Sequence, residues 1–208
     1  MNANAEDPAA DIAWMRRLAE EGSQAPMQGA SILFGAGIIW GLGSLAHWAI
    51  VSRIVDVGYE AINYVWLGAA AVFAILLIVV LNRLKRAGRV QTAANRAAGT
   101  AWSALGWGIF ALGVSLAVLG WRLGEDAVMV GFALAPSMIM TAYGSGWAVS
   151  AAMLRIRGLW VLAVASFAAA PLLAALTGTP EQYLAYAAAL FLLMALPGWL
   201  LMRAAKRA

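Results

Sequence analysis

The chain has 208 residues, of which 63% are apolar and 12% are charged, and its formal net charge is +4. Soluble domains contain only about 45–50% apolar residues, so this composition excludes an ordinary soluble domain. The absence of cysteine excludes disulfides, thiolate nucleophiles and thiolate metal ligands. In a membrane protein, basic residues set the orientation in the bilayer. We therefore attribute the positive charge to that role and expect no nucleic-acid partner.

The N-terminal segment, residues 1–28, carries a short amphipathic pattern. Asp11 is a good N-cap for a helix. Apolar residues follow it at helical spacing: Ile12, Met15, Leu18 and Ala19. The pattern predicts a cytoplasmic helix that lies in the membrane interface, with Trp14 among the lipid headgroups. An ordinary soluble helix or a frayed terminus is the alternative.

Residues 29–208 form the predicted transmembrane domain. A helix needs about 20 apolar residues to cross a bilayer, and six stretches are long enough. These stretches are 29–52, 61–82, 99–121, 127–154, 158–177 and 183–202. No charged residue lies inside any of them. The sequence therefore predicts an all-α, polytopic membrane protein whose six transmembrane helices form one bundle.

The charged residues between these stretches indicate the orientation. Cytoplasmic loops carry an excess of Lys and Arg. If the N-terminus is cytoplasmic, only Arg53 and Arg122 of the 14 basic residues lie outside. The remaining twelve then face the cytoplasm: Arg16, Arg17, Arg83, Lys85, Arg86, Arg89, Arg96, Arg155, Arg157, Arg203, Lys206 and Arg207. The many Arg and Ala residues are typical of a GC-rich bacterial genome. We therefore expect a multi-pass protein of the bacterial inner membrane with both termini cytoplasmic.

The first stretch contains two features of interest. Gly37 and Gly41 form a small-xxx-small pattern, which predicts close packing against another helix. His47 is the only histidine, and it lies near the outer end of this stretch. A haem could use it as an axial ligand, whereas a metal would need further donors, which are absent at this depth. A neutral histidine that is hydrogen-bonded across helices, or lies at the interface beside Trp48, is the favoured interpretation.

The fourth stretch is the most polar. Small residues recur at every fourth position on one ridge: Ala133, Ser137, Thr141 and Ser145. Such a ridge favours close helix packing, and Pro136 predicts a kink within it. The alternative is a polar wall beside a small-molecule cavity. The candidate ligand residues on that alternative are His47, Ser137, Thr141, Tyr143, Ser145 and Trp147.

Four of the ten tryptophans lie deep in the predicted helices: Trp40, Trp66, Trp107 and Trp147. Core packing is their favoured role, and the lining of a pocket for a flat aromatic ligand is the alternative. The stretches contain no nucleophile–base pair, metal-ligand cluster or phosphate-binding loop. The sequence therefore predicts no catalytic residues, no cofactor and no enzymatic activity.

The leading functional hypothesis is an accessory, scaffold or regulatory membrane subunit that works through helix–helix contacts. Its expected partners are the lipid bilayer and either a second copy or another membrane protein. The alternative hypothesis is a small-molecule binding or transport protein with a cavity beside the fourth transmembrane helix.

Overall fold

A computed structural model of the chain describes residues 12–14, 27, 29–86 and 92–207, with the backbone alone at 125–128. Its long elements are all helices: α1 (Ala30–Val51), α2 (Ala61–Arg86), α3 (Ala93–Leu123), α4 (Glu125–Leu154), α5 (Arg157–Ala175) and α6 (Glu181–Ala205). Each helix overlaps one predicted apolar stretch, although α3 begins six residues before its stretch and α2 ends four residues after its own. The predicted all-α class is confirmed for this part of the chain.

Five of the described helices are long and apolar enough to cross a membrane by length and composition: α1, α2, α3, α5 and α6. They are compatible with a multi-pass membrane protein. Helix α4 has 30 residues and is not among the five. Its central part holds Pro136 together with hydroxyl and glycine residues. A sixth crossing by α4 stays a prediction.

The predicted interfacial helix falls mostly outside the described residues. Of that segment the structure describes residues 12–14, which are helical. Ile12 and Trp14 are exposed there.

Helices α1 and α6 pack against each other closely and antiparallel. A Cβ atom added to Gly37 would collide with the backbone of Ala195, and one added to Gly41 would lie 2.6 Å from the ring of Phe191. Near the start of α1, a Cβ atom on Gly198 would lie 2.9 Å from the carbonyl oxygen of Ala30. At these three positions there is no room for a Cβ atom beside the neighbouring helix. The close-packing face that the sequence predicts at the two α1 glycines is confirmed.

The core lies where α4 meets α5 and α6. Met140 and Trp147 of α4 and Leu190 of α6 have no exposed surface. A Cβ atom added to Gly144 of α4 would lie 2.7 Å from the ring of Phe167 on α5. Apolar side chains from all three helices therefore fill the centre of the bundle.

Helices α2 and α3 are peripheral. Helix α2 packs on α1 and has no buried residue. Helix α3 packs on α4 and buries only Asn95, Ala98 and Leu116 among its 31 residues. Most of the surface of both helices is therefore available to lipid or to another protein.

Candidate functional site

His47 lies near the C-terminal end of α1 and is held by residues of two other helices. Its Nδ1 atom accepts a hydrogen bond of 3.0 Å from Nε1 of Trp66 on α2. Its ring stacks on Tyr183 of α6, with centroids 3.5 Å apart and planes inclined by 25°. Only 9% of the residue is exposed. The hydrogen bond across helices fits the favoured interpretation of this histidine.

The bond from Trp66 also fixes the tautomer of His47. An indole N–H can only donate, so Nδ1 must be the unprotonated nitrogen. A neutral imidazole then carries its hydrogen on Nε2. The lone pair of Nδ1 is used by Trp66, and Nε2 has none to offer. In this arrangement His47 cannot bind a metal or a haem iron, but it can donate a hydrogen bond from Nε2.

Aromatic rings extend this contact along α1 and α2. Trp40 stacks with Trp66, with ring centroids 6.0 Å apart, and meets Phe73 at 5.7 Å. Ser44 donates a hydrogen bond of 2.7 Å to the backbone carbonyl of Tyr183. These contacts join both α2 and α6 to the C-terminal half of α1. Two of the four deep tryptophans thus pack between helices.

Only one hydroxyl of the predicted α4 ridge bonds to another helix. Ser137 donates to the carbonyl oxygen of Ala170 on α5 at 2.7 Å. Thr141 and Ser145 donate to carbonyls four residues earlier in α4, at 3.1 Å each. Thr141 is exposed. Ser137 therefore lies at the α4–α5 contact, whereas Thr141 lies on the surface of the bundle.

The other two candidate residues of α4 are buried. Tyr143 is 8% exposed, and its ring lies 6.0 Å from that of Trp102 on α3. Trp147 is fully buried. The structure does not gather the six candidates into one site, because the described contacts of His47 are to α2 and α6, whereas the others belong to α4.

Trp147 compensates for a proline in a different helix. Its Nε1 atom donates a hydrogen bond of 3.0 Å to the carbonyl oxygen of Leu193 on α6. In an α-helix that carbonyl would accept from residue 197, which here is Pro197 and has no N–H. The segment Phe191–Ala195 is a π-helical turn that ends just before this proline. Trp147 therefore supplies the donor that the proline lacks.

Gln182 is the residue that the sequence analysis missed. It is 1% exposed, and its Nε2 atom donates to the carbonyl oxygens of Ala133 at 2.6 Å and Leu173 at 3.1 Å. Leu173 lies in the last turn of α5, and its carbonyl oxygen also accepts a bond of 3.3 Å from the backbone N–H of Leu176. One amide thus joins α4, α5 and α6. The available signal in the sequence was its position: an uncharged amide in the first turn of α6, just before the apolar stretch, can reach the ends of neighbouring helices.

The exposed face of α3, which points away from the other helices, carries a glycine repeat that the sequence analysis did not identify. Gly99, Gly106 and Gly113 are exposed and recur every seven residues. A Cβ atom added at any of them would meet nothing within 4 Å. Trp107 and Phe110 beside them are 70% and 62% exposed, so Trp107 is not a core residue. The seven-residue spacing of these glycines can be read from the sequence, but their exposure cannot.

No protein-family model, curated protein or solved structure matches the chain. Its function is therefore inferred from the geometry described above.

Proposed function

We propose that this protein is a bacterial inner-membrane protein with six spans and both termini in the cytoplasm, and that it acts as an accessory, scaffold or regulatory subunit. The alternation of basic residues supports the orientation. The 30 residues of α4 support the sixth span, because at 1.5 Å per residue they extend about 45 Å, against a hydrocarbon core of about 30 Å. An interfacial N-terminal helix completes this arrangement.

The observation that carries the functional proposal is the unpartnered glycine face of α3, formed by Gly99, Gly106 and Gly113. In membranes, small residues let two helix backbones approach closely. The protein uses Gly37 and Gly41 in this way between α1 and α6. The α3 glycines have the same property, but a Cβ atom added to them would meet nothing within 4 Å in the described part of the chain.

Glycine also weakens a helix by about 0.8–1 kcal/mol relative to alanine. Three exposed glycines at one register therefore destabilise α3 and provide no packing against the described residues of the other helices. A partner helix laid on this face would supply the packing. The seven-residue repeat matches the period at which two helices stay in contact in a left-handed crossing. We infer that the partner is a transmembrane helix of a second copy or of another membrane protein.

A non-enzymatic role is supported by the use of the polar side chains. The hydroxyls of Ser44 and Ser137 donate to backbone carbonyls of other helices. His47 bonds to an indole rather than to a nucleophile. Small-molecule binding beside α4 is the weaker alternative, because Met140 and Trp147 fill the buried side of that helix.

Cysteine cross-linking tests the proposal directly, because the chain has no native cysteine. A single cysteine at Ser103, which is exposed beside the glycine face, should form a disulfide-linked product in native membranes. A cysteine at Tyr64, which is 73% exposed on α2, is the control and should not. Two differently tagged copies then distinguish self-association from a different partner.

A matched pair of substitutions provides the second test. Gly106→Leu should abolish the cross-linked product without lowering the stability of the isolated chain, since surface substitutions cost little and leucine is a better helix former than glycine. Gly68→Leu places the same side chain in open space on α2 and should change neither. Equal cross-linking in both variants would refute a role for the glycine face.

A further inference from the structure

The Nε2–H group of His47 is a polar donor that the fold leaves unused. Trp66 fixes the hydrogen on this nitrogen, and no described residue accepts a bond from it. Among the described residues, Ser166 Oγ is the one side-chain polar atom that is both fully buried and without a partner. Nε2 of His47 also has no partner among them, so it is not fully buried and can be reached from outside the protein. The rest of the residue is packed, with 9% of its surface exposed. A ligand can therefore reach one edge of an otherwise buried ring.

The depth of His47 limits which acceptors can reach it. It lies four residues before the end of α1 at Val51, which is about 6 Å along the helix axis. This is the boundary between the hydrocarbon and the headgroups on the outer side of the proposed orientation. The described contacts of His47 are with uncharged residues, Trp66 and Tyr183. A neutral donor in an uncharged environment suits a neutral oxygen acceptor rather than an anion.

We propose that His47 is the binding residue for a membrane-soluble molecule that carries a carbonyl oxygen, which accepts a hydrogen bond from Nε2. Isoprenoid quinones and the acyl esters of phospholipids both present such an oxygen at this depth. The site is preorganised: Trp66 fixes the tautomer, Tyr183 fixes the ring plane, and Ser44 fixes the backbone of Tyr183. This inference concerns α1, α2 and α6 and is independent of the partner surface on α3.

The single histidine makes the test specific. Protein labelled with ¹⁵N-histidine and purified through a tag without histidine gives two ring-nitrogen resonances, both from His47. In nanodiscs of ether-linked phosphatidylcholine, which lacks ester carbonyls, Nδ1 should appear unprotonated and Nε2 protonated. If a quinone is the ligand, titration with decylubiquinone should then shift the Nε2 resonance saturably and leave Nδ1 nearly unchanged.

The two sources of the carbonyl are separated by the lipid. If the phospholipid ester is the ligand, ester-linked nanodiscs alone should shift Nε2 relative to ether-linked ones, and the quinone should add nothing. If a quinone is the ligand, the shift should require the quinone in both lipids. An Nε2 resonance that is the same in all four samples would overturn the proposal.

Variants separate binding from structure. His47→Asn keeps an acceptor for Trp66 at the Nδ1 position but has no donor at the position of Nε2. Its labelling by a photoreactive azidoquinone, in competition with decylubiquinone, should fall at least tenfold in the quinone case, whereas Thr141→Val should label as the unmodified chain does. In the lipid case, native mass spectrometry should show loss of the retained phospholipid instead. Retention of the ligand by a folded His47→Asn protein would contradict the proposal.

A further variant tests the site even if His47→Asn does not fold. Trp66→Phe keeps an aromatic ring beside His47 but removes the indole N–H. The ¹⁵N spectrum should then show a mixture of both imidazole tautomers, and the quinone- or ester-dependent Nε2 shift should weaken severalfold. A spectrum that stays purely Nε2-protonated, with an unchanged ligand response, would show that Trp66 does not prepare the donor.

Discussion

The hydrogen bond from Trp147 to the carbonyl of Leu193 can be isolated by a double-mutant cycle with Pro197. Trp147→Phe removes the indole donor and leaves the carbonyl of Leu193 without a side-chain partner. Pro197→Ala supplies a backbone N–H four residues after that carbonyl. In the alanine background the carbonyl has a second donor, and the loss of the indole should matter less.

The expected magnitudes follow from the burial of Trp147. Interhelical hydrogen bonds in membrane proteins contribute about 0.6 kcal/mol on average and up to about 1.7 kcal/mol. Trp147 has no exposed surface, so its truncation to Phe also leaves a void, which we expect to cost about 1–2 kcal/mol. The single substitution should therefore lower the free energy of unfolding by about 2–3 kcal/mol. The cost of the void is the same with proline or alanine at position 197, so it cancels in the comparison. The remaining difference, which is the coupling energy between Trp147 and Pro197, should be about 1 kcal/mol.

The assay is unfolding of the purified protein by sodium dodecyl sulfate in mixed micelles, followed by far-ultraviolet circular dichroism of the helices. Four proteins are compared: the unmodified chain, Trp147→Phe, Pro197→Ala and the double variant. Independent sites add within about 0.3–0.5 kcal/mol. Costs of Trp147→Phe that agree within that margin in the two backgrounds would refute the compensation of Pro197 by Trp147.

Three further outcomes can be measured with the same preparations. Gly37→Ala should destabilise the protein by about 1–3 kcal/mol, because its Cβ collides with the α6 backbone, whereas Gly68→Ala should be neutral or slightly stabilising in the same melting experiment. Gln182→Met should cost about 1–2 kcal/mol in that experiment, because two buried carbonyls lose a shared donor, and an unchanged midpoint would contradict this role. Cysteines at Gly88 and Thr179 should label on opposite sides of the membrane with an impermeant thiol reagent, and equal outside labelling would refute the six-span arrangement.

The helices could be predicted from the sequence because a helix that crosses a membrane requires about 20 consecutive apolar residues, a pattern that is visible locally. Apolar runs of the required length are interrupted by charged and turn residues, and the helix ends lie at those interruptions. Arg53 and Arg155 follow the ends of α1 and α4 and adopt positive φ angles of 56° and 55°. The close-packing role of Gly37 and Gly41 was also local information, since two small residues four apart share one helix face.

The partners of the polar residues could not be predicted in this way. Trp66 lies on α2 and Tyr183 on α6, so the tautomer of His47 depends on the tertiary arrangement. Pro197 indicates that the carbonyl four residues earlier, at Leu193, lacks its usual backbone donor. The sequence does not indicate that Trp147 supplies a replacement. Gln182 lies one residue before the predicted apolar stretch, and the sequence does not indicate which carbonyls of other helices accept its hydrogen bonds.

The pairing of α1 with α6 has a consequence for how the chain is made. The contact from Ser44 to Tyr183 joins residues 139 positions apart, and it links the first long helix to the last one. During synthesis, α1 enters the bilayer long before its glycine face can meet α6. A chain that stalls or is truncated before residue 181 leaves that face open, with the backbone around Gly37 free to pair with other helices. We therefore expect the glycine face of α1 to remain uncovered in the nascent chain until α6 has been synthesised.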